Sequence, residues 1–282
     1  TYTAECTNNT GAAGQLMLKV SVMGAAGRMG QRILYFLSRD ESIKIVGARE
    51  IKGHPAIGKD AGVVAGIGKL GVKVTADMDE SSSRADVIVD FTAPKPTLEN
   101  ARYASSKGKA MVIGTTGFTD DEQEKLEKLS LKFPCVIAPN MSVGVNVVFE
   151  ITKLLARALG DEYDVEIVEA HHKHKLDSPS GTAIMLGRAA AEGLGRDFDQ
   201  SARYERYGRI GERRQNEIGI QSIRGGDVAG EHTVMFLGDG ERIELTHRAQ
   251  NRDNFAKGVV RAVKWVYGKP PGPYTMKDVL GL

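Results

Sequence analysis

Short bursts of alternating apolar and polar residues mark most of this chain. Leu18, Val20 and Val22 alternate with Lys19 and Ser21, the period of two expected of a strand. Gly24-Ala25-Ala26-Gly27-Arg28-Met29-Gly30 follows at once, then a helical run over about 31–38 and a second strand at Ile43-Lys44-Ile45-Val46-Gly47-Ala48. Strand, helix and strand within about 30 residues make a βαβ unit. Apolar runs recur at Val87-Ile88-Val89, Met111-Val112-Ile113 and Cys135-Val136-Ile137, with helical patterns over roughly 96–107 and 119–131 between them. Thr119 and Glu122 have the spacing of a capping box at the start of the second helix. The alternation predicts a parallel, doubly wound sheet.

Past Asn140 the pattern changes. It predicts an apolar helix over 145–159, a strand over 164–169 and a helix near 182–192, followed by an Arg-rich irregular stretch over 196–214. Three runs, 218–223, 232–237 and 242–247, read as successive antiparallel strands, the last two joined by the hairpin signal Gly238-Asp239-Gly240. A final amphipathic helix carries Phe255, Val259, Val263 and Val266 on one face and ends before Pro270-Pro271-Gly272-Pro273. The expected class is α/β: a Rossmann-like N-terminal sheet, and a second α+β domain with a mixed or antiparallel sheet.

Composition narrows the function. The 282 residues are enough for one large or two ordinary domains, and no apolar run is long enough to span a membrane. A net charge of +2 gives no global pull on nucleic acid, so neither a nucleic-acid nor a membrane partner is expected. Cys6 and Cys135 lie far apart and suggest no disulfide framework, which favours a reduced, cytoplasmic setting. Residues 1–16 hold no apolar signal-peptide core and are expected to be a disordered extension or a vector-derived remnant.

The glycine run carries the first chemistry. A tight turn between strand and helix brings backbone N–H groups against a pyrophosphate at the positive helix end. Gly24, Gly27 and Gly30 displace the usual middle glycine by one, yet they end a strand and open a helix. Glu50, about twenty residues on at the end of the second strand, can accept from ribose hydroxyls. Gly114-Thr115-Thr116-Gly117-Phe118 and Ala138-Pro139-Asn140-Met141-Ser142 also follow strands, where such a sheet binds ligands; turn chemistry and a nicotinamide carboxamide both account for them.

The densest cluster is Glu169-Ala170-His171-His172-Lys173-His174-Lys175, followed by Ser178-Pro179-Ser180-Gly181-Thr182. A metal site, a solvated basic loop, and an anion site with proton transfer compete for it. Adjacent histidines on a strand point to opposite faces, and the lysines repel a cation, so no metal is expected. Clustered cations hold carboxylates, His serves as an acid near neutral pH, and Ser-Gly-Thr at a helix start adds N–H and hydroxyl donors.

With these residues in place the chain resembles the 4-hydroxy-tetrahydrodipicolinate reductase (dihydrodipicolinate reductase) family from Leu18 onward. The motifs are G-A-A-G-R-M-G at 24–30, V-I-G-T-T-G-F at 112–118, S-V-G-V-N at 142–146, E-A-H-H-K-H-K-L-D-S-P-S-G-T-A at 169–183 and Gly-Glu-His at 230–232. The resemblance implies NADH- or NADPH-dependent reduction of a small cyclic dicarboxylate with loss of water, in the diaminopimelate route to lysine, by a homotetramer. It implies a dinucleotide-binding domain over 17–142 completed by 252–282, and a substrate-binding and oligomerisation domain over 143–251. It carries Gly24, Ala25, Ala26, Gly27, Arg28 and Met29 onto the pyrophosphate and Glu50 onto the adenosine ribose. Gly114, Thr115, Thr116, Ala138, Pro139, Asn140 and Met141 fall around the nicotinamide. His172, Lys175, Ser180, Gly181 and Thr182 fall on the substrate carboxylates, with His171 and Lys175 as the proton-donor candidates.

Two departures bear on the cofactor. Ile51 stands where many members of the family carry an Arg for a 2′-phosphate, with Arg49 before Glu50 and Lys52 beyond. NADH preference with some NADPH use follows. Ala93 stands where some relatives carry a basic residue near the adenine. Two rival readings remain. One is an NAD-binding regulator whose basic segment recognises an acidic partner or nucleic acid, supported by the stretch 196–214 but opposed by its interspersed Glu and Asp and by the lack of a helix-turn-helix or aromatic platform. The other is a metal-dependent hydrolase using His171, His172 and His174.

Overall fold

The computed structural model describes residues 17–282; the extension over 1–16 and Cys6 lie outside the described residues. The first sheet is built from β1 (Leu18–Met23), β2 (Ile43–Arg49), β3 (Val74–Thr75), β4 (Val87–Asp90), β5 (Ala110–Ile113) and β6 (Pro134–Ile137). Its order, β12-β6-β5-β4-β1-β2-β3 with β12 at Gly272–Tyr274, is parallel at every pairing. Fully buried strands such as Val87–Asp90 need no polar face, which explains their unbroken apolar runs.

Helices α1 (Arg28–Leu37), α2 (Ala61–Val64), α3 (Met78–Ser82), α4 (Pro94–Lys107) and α5 (Asp120–Ser130) connect these strands. The capping box at Thr119 and Glu122 forms in full. Helix α1 opens three residues before the expected start, at Arg28, because Gly27 takes the N-cap position. The returning helix α9 (Asp253–Val266) buries Val259, Val263 and Val266 in the same core as Val20, Ile33 and Val112. Arg32 pairs with Asp253 at 2.7 Å, tying α1 to α9. The proline run does not end the ordered chain: Gly272–Tyr274 pairs with β6 as an edge strand, where proline's missing N–H is tolerated, and α10 (Met276–Leu280) follows.

The second unit packs α6 (Val143–Leu159) and α7 (Gly181–Leu194) on a five-stranded sheet of order β11-β10-β7-β9-β8. Its strands are β7 (Asp164–His171), β8 (Ala202–Arg203), β9 (Ile218–Arg224), β10 (Gly230–Gly238) and β11 (Glu241–Ala249), with α8 (Phe198–Ser201) before β8. The expectation of three successive antiparallel strands is corrected here. Strand β9 runs parallel to β7, and β10 pairs with β7 and β11. The helical crossover through α7 returns the chain parallel on one edge of β7, so β10 takes the other edge. The β10–β11 hairpin turns through Asp239 and Gly240, whose φ of +88° suits glycine.

Among the described residues no helix is long and apolar enough to cross a membrane. Cys135 is a buried free thiol.

Candidate active site

At the carboxyl end of β1, Gly24 adopts φ +71° and its N–H donates to the Arg49 carbonyl. No side chain caps α1, so its first-turn N–H groups are available to an outside acceptor. A side chain at Gly30 would put Cβ 2.0 Å from the Gly24 carbonyl oxygen, which is why helix and turn pack this closely. Glu50 reaches back into the same turn: its Oε1 accepts from the Ala26 N–H at 2.8 Å. Glycine turn and acidic residue therefore form one unit, and its bare N–H groups fit a pyrophosphate. Arg28 and Gly27 are exposed, Met29 is half-buried and Ala25 is buried.

The other two loops differ in what they expose. The Phe91 ring lies over Gly114, where a Cβ would come within 2.2 Å of it. Thr115 is buried in a polar knot with Thr92, Thr97 and Asp90, while Thr116 is exposed. Ala138 and Met141 are buried in the first core, and the Met141 carbonyl abuts Gly258. Pro139 is exposed and Asn140 half-buried, so these present that loop's surface.

The basic cluster is organised around a residue that the sequence reading quoted without a role. Glu169 has no exposure, yet its carboxylate receives Arg224 through two bonds of 2.7 and 2.8 Å, His171 Nδ1 at 2.6 Å and the Ser180 N–H at 3.0 Å. Burial pushes its pKa up, but Arg224, His171, Ser222 and the Ser180 N–H outweigh that and draw it down to about 2. Glu169 and His171 are two apart on a strand and so share a face. Arg224 sits opposite His171 in the β7–β9 register.

His171 is held below its ordinary pKa by burial, against the pull of Glu169. A carboxylate at Nδ1 fixes the tautomer and leaves Nε2 as the working nitrogen. His232 packs edge-on against the His171 ring, with centroids 5.2 Å apart, and its Nε2 meets Ser180 Oγ at 2.9 Å. Burial pushes His232 down to about 4, so it is neutral over the ordinary pH range.

Ser180 caps α7, its Oγ accepting from the Ala183 N–H. The side chain is buried, and what it offers an anion is the position of the donors after it: the first-turn N–H groups of Gly181 and Thr182 and the Thr182 hydroxyl. Asn140 Nδ2 donates to Thr182 Oγ1 at 3.0 Å and leaves that hydroxyl's proton for another acceptor. Asn146 in turn donates to the Asn140 carbonyl, so α6 braces the link between the two units.

His172 faces away from His171, and its Nδ1 is buried without a hydrogen-bond partner. It lines a cleft of about 680 Å³ with Arg28 and Gln31 from α1 and Asp227, Arg252 and Phe255 from the other side. Lys175 pairs with Asp177 at 2.8 Å and must leave it to meet a ligand. Lys173 and His174 are exposed. Among the described residues no three His, Cys, Asp or Glu side chains converge as metal ligands would.

The structure thus brings His171, Ser180 and Thr182 together with Asn140, and Arg28 with His172. It adds Glu169, Arg224 and His232. The spacing of Glu169 to His171 was a usable signal, and Gly-Glu-His at 230–232 marked His232 without a role. That Arg224 and His232 meet the cluster depends on strand register that no local pattern reports.

Models of two families match the chain: "Dihydrodipicolinate reductase, N-terminus" over residues 18–141 and "Dihydrodipicolinate reductase, C-terminus" over 144–280. The chain is 54% identical over 266 residues to the 4-hydroxy-tetrahydrodipicolinate reductase of Geotalea daltonii, covering 94% of this chain and 100% of that one. It is 55% identical, with the same coverage, to that of Trichlorobacter lovleyi. Among solved structures, the dipicolinate-bound dihydrodipicolinate reductase from Paenisporosarcina sp. TG-14 is similar at a TM-score of 0.73 and 25% identity, over 93% of this chain and 98% of that one.

Proposed function

The chain belongs to the dihydrodipicolinate reductase family, and from that premise we propose how its residues divide the work of the reaction. The activity is the NAD(P)H-dependent reduction of 4-hydroxy-tetrahydrodipicolinate to tetrahydrodipicolinate with loss of water, an oxidoreductase step of the diaminopimelate route to lysine. The nicotinamide dinucleotide supplies a hydride to a ring carbon of the substrate.

The observation that carries the assignment of roles is the Glu169–His171 pair beside the open N-terminus of α7, with Asn140 bonded to Thr182. The N–H groups of Gly181 and Thr182, with the Thr182 hydroxyl, hold one substrate carboxylate, and Ser180 fixes their position. His172 and Lys175 hold the other, Lys175 exchanging Asp177 for the substrate. Each bound carboxylate raises the cost of a neutral His171 and draws a proton onto it. His171 Nε2 then delivers that proton to the carbon on which negative charge builds, while Glu169 stabilises the imidazolium. Lys175 is assigned to clamping and stands as the second candidate donor.

For the cofactor, Gly24, Ala25, Ala26, Gly27, Arg28 and Met29 cradle the pyrophosphate, and Glu50 reads the adenosine ribose. Gly114, Thr115, Thr116, Ala138, Pro139, Asn140 and Met141 shape the nicotinamide side, the outward contacts falling to Thr116, Pro139 and Asn140. A 2′-phosphate meets Glu50 with like charge, whereas exposed Lys52 offers partial compensation. NADH is therefore preferred, with NADPH accepted. The proposed assembly is a homotetramer through the second sheet, supported by Val168, Ile223, Met235 and Leu237 on the face opposite α6 and α7. The setting is cytoplasmic, consistent with the free Cys135.

The test is nicotinamide absorbance decay with substrate made in situ by the upstream synthase. Turnover that depends on the synthase supports the reading, and kcat/KM clearly higher for NADPH than for NADH defeats the cofactor preference.

A further inference from the structure

Strand alternation separates two neighbouring charged residues at the end of β2. Glu50 turns to the glycine turn and bonds the Ala26 N–H, whereas Arg49 turns to the face covered by α4. There its Nε donates to the Ala76 carbonyl at 3.1 Å and its Nη1 to Asn100 Oδ1 at 3.0 Å. A guanidinium only donates, so the Asn100 amide must present its oxygen to Arg49 and its NH₂ to the other side. On that side Asn100 Nδ2 donates to Asp90 at 2.7 Å. Asp90 and Asn100 both have no exposure. Asp90 and Arg49 flank Met23 in one row across β4, β1 and β2, and Asn100 bridges the row from α4.

We propose that Asn100 is a specificity-determining positioning residue: with Asp90 behind it, it tethers Arg49 on the α4 face and keeps that cation away from the ribose edge read by Glu50. This rests on the assignment of Glu50 to the adenosine ribose. Arg49 is one residue from Glu50, and its side chain is long enough to turn toward a 2′-phosphate once released. The tether leaves Glu50 as the charged group at that edge, and the preference for a free 2′-hydroxyl follows.

The test is direct titration of NADH and NADPH, read by nicotinamide fluorescence, on the full chain and its variants. Asn100→Ala should tighten NADPH relative to NADH by roughly tenfold, the order of a charge-assisted contact to phosphate. Arg49→Met alone should leave the affinity ratio within about twofold, and Arg49→Met with Asn100→Ala should return the ratio to the parent value. General damage to the fold weakens both nucleotides and does not produce this reversal. The proposal is overturned if Asn100→Ala leaves the ratio unchanged, or if Arg49→Met alone weakens NADPH severalfold, since Arg49 would then already reach the phosphate. Should Asn100→Ala fail to fold, Asn100→Ser, which keeps a polar group but is too short to bridge Asp90 and Arg49, takes its place with the same expected and overturning results. Glu50→Gln tests the supporting assignment separately: unchanged affinity for both nucleotides would remove Glu50 from the ribose, whatever the Arg49 variants show.

Discussion

Replacing Glu169 by Gln keeps the shape of the side chain and removes the charge that Arg224, His171 and the Ser180 N–H converge on. The carboxyl falls from an ordinary value of 4.5 to about 2 in the fold. At 1.36 kcal/mol per pKa unit that is roughly 3 kcal/mol of stabilisation at neutral pH. Removing one partner of a buried ion pair typically costs about 3–5 kcal/mol, so two independent routes agree. Because the folded-state pKa is depressed, this stabilisation is complete above about pH 4.5 and is lost as the pH falls toward 2. Urea unfolding of both proteins should therefore differ by roughly 3 kcal/mol at pH 7 and by only about 1 kcal/mol at pH 3. Activity should fall by about ten- to a hundredfold in kcat, since the His171 ring loses the partner that fixes its tautomer. A stability difference below about 1 kcal/mol at pH 7, or one equal at both pH values, would refute the reasoning.

Three further outcomes follow from the same geometry. His232 titrates near 4 when folded against an ordinary 6.5, so stability is lost as the pH falls between those values; His232→Gln should flatten that segment of the stability–pH curve, and an unchanged slope would assign it elsewhere. Gly30→Ala drives a methyl group to 2.0 Å from the Gly24 carbonyl and should weaken dinucleotide binding at least roughly tenfold in a fluorescence titration, because the turn must open. Thr182→Val removes a hydroxyl already positioned by Asn140; substrate kcat/KM should drop about tenfold with NADH affinity preserved, and equal loss of both would make the change a general distortion.

What the sequence makes legible depends on the range of the interactions involved. Period-two runs such as Leu18-Val20-Val22 and the capping box at Thr119 are local, and they mark elements that the structure contains. The direction of β9 was not local: Ile218-Gly219-Ile220 has the same pattern in a parallel or an antiparallel pair, and the crossover through α7 decides it. Edge strand β12 was hidden because Pro271 and Pro273 read as an ending, although an edge tolerates a missing donor. At the site, His171 and Ser180-Gly181-Thr182 stood out by composition. Arg224 did not, and His232 stood only in the Gly-Glu-His motif without a role, because both meet Glu169, His171 and Ser180 only through register across three strands. Arg49 is a similar case: strand alternation turns it away from Glu50, and its partners Ala76 and Asn100 come from segments that no local pattern pairs with β2.

The central claim, that His171 delivers the proton from a site that Gly181 and Thr182 help to assemble, is tested most directly by His171→Ala in the synthase-coupled assay across pH. The account predicts that kcat falls at least about a hundredfold while binding of dipicolinate, a planar dicarboxylate, stays within severalfold. It also predicts that parent kcat/KM declines with rising pH with an apparent pKa below the ordinary 6.5, the direction in which burial moves this imidazole. Turnover that survives the substitution within about threefold, or a parent profile flat up to the range near pH 10 where an ammonium donor ordinarily loses its proton, would contradict it.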